Sequence, residues 1–240
     1  MAFDGICVFA ITDELHTALS GGRITKIAQP EKDEILLSVK TSDDTKKLFI
    51  NVSAGMPFLY LTDENKPSPM TAPNFCMVLR KHLQGGRILR ITQPGLERVI
   101  RFEIEHLDEM GDLCKRILIL ELMGKHSNLI LTDEKDCIID SLKHVSAMVS
   151  SVREVLPGRE YFLPKTEEKW DPLLLYKTGE STLRDAFFES MNKPQPAYQK
   201  IYGFYKDNGV ELIIHHSDSY ANNLVPSMIK CGIDIWQGAM

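Results

Sequence analysis

An internal repeat is the feature that most constrains how this chain of 240 residues can fold. The segment 19–30, LSGGRITKIAQP, is matched at 83–94 by LQGGRILRITQP, an offset of 64 positions. A second pair, LYLTDE at 59–64 and LILTDE at 129–134, keeps the same order at an offset of 70. Two copies of one unit therefore make up roughly residues 1–170, and they predict a fold with pseudo-two-fold symmetry.

Each copy predicts one helix followed by a run of strands. Apolar periodicity indicates helices over Asp4–Leu19 and Asn74–Leu83, and a glycine pair ends each of them. Because the strands alternate apolar and polar residues, we expect an α+β fold, an internally duplicated β-sandwich or barrel with flanking helices, in which the two copies bury their apolar faces against each other. Ile138–Val152 adds a further strand or a helix. The predicted strands are Arg23–Ala28, Ile35–Lys40, Lys47–Val52, Phe58–Leu61, Arg87–Thr92, Val99–Glu105, Arg116–Leu122 and Asn128–Leu131.

Composition indicates an ordinary globular protein of the cytoplasm. Apolar residues make up 43% of the chain and the net charge is −5. No apolar run is long enough to span a membrane, and the N-terminus does not resemble a signal peptide. The five cysteines are widely spaced and predict reduced thiols, with no metal site and no cofactor. They are Cys7, Cys76, Cys114, Cys137 and Cys231.

The second copy carries a basic segment, which predicts contact with RNA or DNA. Between Val78 and Arg101 there are six Lys/Arg residues and one acid, a local net charge of +5. Arginines near a hairpin tip suit phosphate binding and stacking on bases. The alternative is a solvated basic face that is balanced by acids elsewhere. The basic residues are Arg80, Lys81, Arg87, Arg90, Arg98 and Arg101.

Two polar segments of the second copy are candidate contact points. Glu97 and Arg98 follow a hairpin turn, where a carboxylate can accept from a base edge and a guanidinium can stack or hold phosphate. At 33–34 the first copy has two acids, so the copies differ in charge there. The alternative for the pair is a surface ion pair of little energetic value. Next to Gly124, a loop of donors can hold a phosphate or form only a polar turn. That loop consists of Lys125, His126, Ser127 and Asn128.

Signals for catalysis are weak, and we predict no enzymatic activity. The chain contains no nucleophile elbow, no Walker A loop and no zinc-protease helix. His144 with Ser146 is too little for a nucleophile–base pair. Near a predicted strand end, His215, His216 and Asp218 are the remaining candidates for a metal or acid–base site.

Five ordered motifs resemble the N-terminal domain of the NFACT family. They are MAFDGI at 1–6, PNFCMVLRKHL at 73–83, GLER at 95–98, ELMGKHSN at 121–128 and REVLPGREY at 153–161. The resemblance implies a fold similar to the N-terminal domain of formamidopyrimidine-DNA glycosylases. Ala2-Phe3 stands where those enzymes have a proline and a glutamate, so glycosylase chemistry is not expected.

The family also implies a function. Its members bind the large ribosomal subunit carrying peptidyl-tRNA and recruit alanyl-tRNA, so that an alanine tail is added to the stalled chain. An acid–arginine pair of the family contacts the tRNA anticodon region, and here it falls on Glu97 and Arg98. Asp is common at the first position of that pair, so the longer Glu shifts the expected base contact.

Residues 171–240 have a different sequence pattern from the two copies. Residues 171–193 are predicted to be a linker with a short helix. Residues 194–240 resemble one strand–helix unit of the uroporphyrinogen-decarboxylase superfamily, a short α/β appendage too small to close a (β/α)₈ barrel. The expected protein is thus a truncated fusion or a gene remnant. The competing functions are a fibronectin-binding surface adhesin, which lacks an export signal, and a remnant of a decarboxylase or methyltransferase.

Overall fold

The computed structural model describes residues 4–163 except 109, 149, 151 and 152, and also 206–207, 214–217 and 234–238. The chain divides into two compact units, Met1–Glu167 and Glu168–Met240. In the second unit, β10 (Ile214–Ser217) and β11 (Ile235–Gly238) form a parallel pair. His215 and His216 lie on β10, whereas Asp218 and the whole of the predicted linker 171–193 lie outside the described residues.

The first unit has the predicted order of helices and strands. Helix α1 spans Gly5–Leu19 and helix α2 spans Asn74–Leu83, so both predicted helices are correct to within one residue. Asp4 caps α1, since its Oδ1 accepts a hydrogen bond of 2.8 Å from the backbone N–H of Cys7. In chain order the strands are β1 (Arg23–Ala28), β2 (Glu34–Lys40), β3 (Thr45–Asn51), β4 (Phe58–Thr62), β5 (Arg87–Thr92), β6 (Val99–Leu107), β7 (Leu113–Glu121), β8 (Asn128–Asp133) and β9 (Ile138–Ser141).

The strand pairing corrects the predicted sandwich of two sheets. All nine strands form one antiparallel sheet in the order β4-β3-β2-β1-β5-β6-β7-β8-β9. The two copies meet edge to edge at β1 and β5, where Arg23 and Arg87 are Cα partners. Periodicity shows which face of a strand is buried but not which edge it pairs with, so the sequence could not distinguish the two arrangements. Within the range predicted as Ile138–Val152, β9 is the strand, and it is shorter than predicted.

Four backbone hydrogen bonds hold this seam, and they obey the pseudo-two-fold axis. Each bond has a counterpart that links the residues 64 positions away in the other copy. The seam is thus built from equivalent residues of the two copies. The bonds run from Gly21 N to Ile88 O (2.8 Å), from Gly85 N to Ile24 O (2.7 Å), from Ile24 N to Gly86 O (2.9 Å) and from Ile88 N to Gly22 O (2.9 Å).

The glycine pair after each helix allows this close approach. Gly21 and Gly85 have φ angles of 79° and 87°, a conformation that L side chains rarely adopt. The second glycine of each pair, Gly22 or Gly86, has no room for a side chain. A Cβ on Gly86 would lie 2.8 Å from Ile104 Cγ2 and 2.9 Å from the carbonyl oxygen of Glu105. The first glycine is therefore required for its conformation and the second for its size.

Each helix packs on the first strand of the other copy. Helix α1 contacts β5, and α2 contacts β1. Arg80 Nε donates to the carbonyl oxygen of Ile27 (2.9 Å), and at the equivalent place the backbone N–H of Ile91 donates to His16 Nδ1 (3.2 Å). Arg80, predicted as an RNA contact, thus helps to hold the two copies together.

The sheet curls around one shared core. Buried side chains of both helices and of both copies belong to a single apolar cluster. Asp33, just before β2, lies 3.8 Å from the ammonium group of Lys143, just after β9. Six strand spacings separate β2 from β9 in the sheet, which would amount to about 29 Å if the sheet were flat. The two copies therefore do enclose a common apolar core, as expected, but within one continuous sheet.

The outer face of the second copy is covered by the chain that follows β9. Val155 and Tyr161 pack on the outward apolar side chains of β6 to β9. Arg153 fixes this cover, since its Nη2 lies 2.5 Å from the fully buried carboxylate of Glu121, and Tyr161 donates to the same carboxylate (3.0 Å). Burial opposes the charge on Arg153, but the hydrogen bond to Glu121 and its charge outweigh this and raise the pKa of Arg153. Two of the five sequence motifs thus meet in a buried ion pair.

Candidate nucleic-acid interface

The hairpin between β5 and β6 carries Glu97 and Arg98. Gly95 takes a φ of 54° in its turn, and the backbone N–H of Glu97 donates to the carbonyl oxygen of Pro94 (3.0 Å). The side-chain amide of Gln93 donates to the carbonyl oxygens of Gly5 and Glu97, at 2.8 Å in both cases. The hairpin is thus fixed to the start of α1.

Gly5 makes this contact close. A Cβ at Gly5 would lie 2.3 Å from the carbonyl oxygen of Leu96, which is backbone and cannot rotate away. The first sequence motif, MAFDGI, therefore contributes a residue that positions the hairpin. Neither Gly5 nor Gln93 was predicted to be part of the site, although the repeated Gln-Pro at 29–30 and 93–94 was a signal for the glutamine.

Backbone pairing corrects the comparison between the two hairpins. Arg23 pairs with Lys40 in the first copy and Arg87 with Glu105 in the second, so β2 and β6 are equivalent at an offset of 65. The second hairpin is one residue longer, and the counterparts of Glu97 and Arg98 are 32 and 33, Lys and Asp, instead of 33 and 34. The two hairpins thus carry opposite charges at both positions.

Arg98 has a side chain available for binding. It is half-buried, and no hydrogen bond or ion pair joins its guanidinium to another described residue. Its carbonyl oxygen accepts from the backbone N–H of Leu122 (2.8 Å), which ties the hairpin to the end of β7. The counterpart Asp33 instead faces Lys143. Burial lowers the pKa of Lys143, and the charge of Asp33 only partly offsets this.

The turn after β7 lies next to Arg98 and divides the predicted donor loop. Lys125 and His126, in the short 3-10 turn Gly124–His126, are exposed. Ser127 and Asn128 are buried: Ser127 Oγ accepts from Met123 N (2.8 Å), and Asn128 holds both backbone groups of Lys143 at 2.8 and 2.9 Å. Of the four predicted donors, the structure therefore places Lys125 and His126 at the surface, whereas the buried Ser127 and Asn128 hold the loop in shape.

The other predicted basic residues are not gathered at this hairpin. Arg90 forms an ion pair of 2.6 Å with Glu103 on the outer face of the sheet. Arg101 lies 2.6 Å from Asp136. Both positive charges are neutralised within the chain, so neither arginine adds an open charge beside Arg98.

Lys81 and Arg87 lie elsewhere. Lys81 is exposed in the last turn of α2, and Arg87 is exposed at the start of β5, a strand length of about 17 Å from its hairpin end. The basic segment is therefore divided between two places. At the hairpin end the half-buried Arg98 and the exposed Lys125 are the cations, and the exposed His126 lies beside Lys125. A run in sequence could not show this separation.

Two further observations bear on the kind of site. Within the described residues, nowhere do three His, Cys, Asp or Glu side chains converge so that they could hold a metal ion. In the same part of the chain, no helix combines the length and the apolar character needed to cross a membrane.

Comparison with known proteins gives a consistent relationship. The family model for NFACT N-terminal and middle domains matches residues 4–217. The Rqc2 homolog RqcH of Bacillus subtilis (strain 168) is 42% identical over 174 residues, 72% of this chain and 30% of the relative. The human ribosome quality control complex subunit NEMF is 26% identical over 141 residues, 59% of this chain and 12% of that protein. This chain thus spans less than a third of either curated relative.

A solved structure agrees with the fold. The N-terminal part of the fibronectin/fibrinogen-binding protein from Streptococcus suis superimposes with a TM-score of 0.71 at 33% identity, covering 83% of this chain and 72% of that one. The family match continues past residue 170 into the segment predicted to resemble a decarboxylase, and that resemblance stays a prediction. So does the likeness to the glycosylase domain. By the extent of the match, this chain belongs to the NFACT family, whose members include ribosome quality control factors.

Proposed function

We propose that this chain provides the tRNA- and large-subunit-binding module of a ribosome quality control factor. In this role it recruits alanyl-tRNA to a large subunit carrying peptidyl-tRNA, so that an alanine tail is added to the stalled chain in the cytoplasm. The observation that carries the proposal is the half-buried Arg98, whose guanidinium has no partner among the described residues, on a hairpin fixed by α1.

The chemistry of the pair fits an RNA loop. A planar guanidinium can stack on an unpaired base or hold a phosphate bidentately, and the adjacent Glu97 carboxylate can accept from a base edge. Lys125 and His126, exposed on the neighbouring turn, add donors for the backbone of the same loop. Because the hairpin is held by Gly5 and Gln93, it presents these groups in a fixed geometry, which lowers the entropy lost on binding.

Filter binding of an alanine tRNA transcript tests this role. We expect Arg98→Ala to raise the Kd about ten-fold, as for loss of one base-directed or stacking arginine. Arg90→Ala is the matched control, because it removes the same charge from the same hairpin but from a residue already paired with Glu103. Its Kd should stay within about two-fold of the wild type. Equal losses in the two variants would show that only general charge matters and would contradict the proposal.

A second candidate function comes from the solved relative, whose name refers to fibronectin and fibrinogen. Saturable binding of fibronectin that is unaffected by Arg98→Ala would support this candidate as a separate activity. The enzymatic alternative is not proposed: on β10, His215 and His216 lie opposite Trp236 and Gln237 of β11, neither of which is a usual metal ligand.

A further inference from the structure

The seam between the two copies places two arginines directly opposite each other. Arg23 of β1 and Arg87 of β5 are Cα partners. The bonds from Ile24 N to Gly86 O and from Ile88 N to Gly22 O flank this pair on both sides, so it is a non-hydrogen-bonded pair. In such pairs the Cα atoms are about 4.5 Å apart and the side chains are at their closest.

Both arginines point to the outer face of the sheet. The neighbouring isoleucines, 24 and 88, are buried in the core, and side chains alternate along a strand. Arg23 and Arg87 are exposed, and no hydrogen bond or ion pair joins either guanidinium to another described residue. Glu105, the β6 partner of Arg87, forms no ion pair with it. Two open positive charges therefore stand side by side on the pseudo-two-fold axis.

A third cation extends this row. Lys40 of β2 is the Cα partner of Arg23 on its other side, and it is also exposed without a partner among the described residues. Lys40, Arg23 and Arg87 thus lie on three adjacent strands about 4.8 Å apart, at one level of the sheet. We call these three residues the seam cations.

Like charges directly opposite each other destabilise a sheet. Within the described residues no carboxylate forms an ion pair with either guanidinium, in contrast to Arg90 and Arg101, and Glu105 adjoins only Arg87, on the side away from Arg23. An anion between the two guanidinium groups would turn the repulsion into attraction. A phosphate suits this position, since each arginine can donate two parallel hydrogen bonds to its oxygens.

We infer that the seam cations bind the phosphodiester backbone of RNA, with one phosphate bracketed by Arg23 and Arg87 and the next contacted by Lys40. The inference rests on the proposed function only in taking RNA as the ligand. It extends the proposed RNA-binding surface from the second copy to the first, because the first copy contributes two of the three seam cations. The seam lies a strand length of about 17 Å or more from the Arg98 hairpin, so one folded RNA can contact both.

The test measures RNA affinity and fold stability in the same variants. The probes are an alanine tRNA transcript and an RNA hairpin of unrelated sequence, titrated by fluorescence anisotropy between 50 and 200 mM KCl. We expect Arg23→Gln and Arg87→Gln each to raise the Kd for both RNAs roughly five- to ten-fold at about 0.1 M salt and to reduce the salt slope by about 0.7 to 0.9. Arg90→Gln is the charge-matched control and should change the Kd less than about two-fold.

The melting temperature distinguishes an RNA-binding role of the seam cations from a role in stabilising the fold. Arg23→Gln removes the charge that lies between Lys40 and Arg87, so it should leave the melting temperature unchanged or raise it. Arg87→Gln removes only the repulsion with Arg23 and also the attraction to the neighbouring Glu105, so it should raise the melting temperature less. Arg23→Glu should raise it further, because the new carboxylate would lie between Lys40 and Arg87, while weakening RNA binding most. A lowered melting temperature in Arg23→Gln, or Kd values for the seam variants equal to that of Arg90→Gln, would overturn the inference.

The proposals for the Arg98 hairpin and for the seam cations can be refuted independently. Arg98→Ala should weaken binding of tRNA more than binding of the unrelated hairpin, whereas seam variants should weaken both alike. If Arg98→Ala has no effect while the seam variants do, the proposed tRNA-reading role fails and the seam contact stands. If only Arg98→Ala has an effect, the seam inference fails and the proposed function stands.

Discussion

Removing Arg153 should destabilise the first unit more than any surface substitution. The carboxylate of Glu121 is fully buried, and the side chain of Arg153, 11% exposed, is its charged partner at 2.5 Å. In Arg153→Met the new side chain keeps most of the apolar contact but leaves the carboxylate with the hydroxyl of Tyr161 as its one side-chain partner among the described residues. A buried charge that loses its partner costs several kcal/mol, since the protein interior solvates it poorly.

The size of the loss follows from this burial. Breaking a buried ion pair from one side typically costs about 3–5 kcal/mol. For a domain of this size, each kcal/mol lowers the melting temperature by about 2–4 °C, so we expect a fall of roughly 10 °C. Arg159→Met in the same segment is the control, because the ion pair of Arg159 with Glu154 is exposed, with 62% of the arginine side chain accessible. Its loss should stay below about 1 kcal/mol.

Urea unfolding followed by far-ultraviolet circular dichroism measures both variants. The double variant Glu121→Gln with Arg153→Met should recover roughly half or more of the loss, since it no longer buries an unpaired charge. If Arg153→Met is no less stable than Arg159→Met, the pair contributes nothing beyond a surface pair. If the double variant is less stable than Arg153→Met alone, the unpaired carboxylate is not the cause of the loss. Either result would refute the reasoning.

Three other predictions follow from single contacts. Gly86→Ala should cost more stability than Gly85→Ala in urea unfolding, because the first creates a clash with backbone and the second only a strained φ worth about 1–2 kcal/mol. Gly5→Ala should lower the urea midpoint and raise the Kd for tRNA several-fold, because the methyl group would clash with the backbone of Leu96 and displace the hairpin. Burial and then Glu121 raise the pKa of Tyr161 above its ordinary 10.0, so the unfolded state ionises first and stability falls as the pH rises past that value. Tyr161→Phe should remove about 1.4 kcal/mol per pH unit of that fall, measured by urea unfolding at alkaline pH.

Local structure was predictable because it depends on local patterns. Both helices end where a glycine pair permits a left-handed turn, and the predicted bounds of the eight strands of the two copies are correct to within three residues. The positions that face the shared core follow from alternation: in β2 they are Ile35, Leu37 and Val39, and in β6 they are Ile100, Phe102 and Ile104. Such features need only the residues within one element.

Features that depend on distant residues were not predictable. Nothing in the sequence indicates that Lys143 would reach Asp33, since their contact depends on the curl of the whole sheet. Glu103 and Asp136 neutralise two of the predicted RNA-binding arginines, but neither adjoins its partner in sequence. Counting charges along a segment therefore overestimated the open charge at the hairpin.

The equivalent hairpins of the two copies carry different charges, and the two charges have different surroundings. In the first copy, Asp33 faces Lys143 of the segment after β9, so the charge at this position helps to hold the curled sheet. At the equivalent place the second copy has Arg98, one more residue in the hairpin and no partner for the guanidinium among the described residues. The charge at this position thus takes part in an internal contact in the first copy and is open in the second. Arg23 and Arg87 are different, because they are Cα partners across the seam, so each copy supplies one of the two guanidinium groups that are proposed to bracket a phosphate.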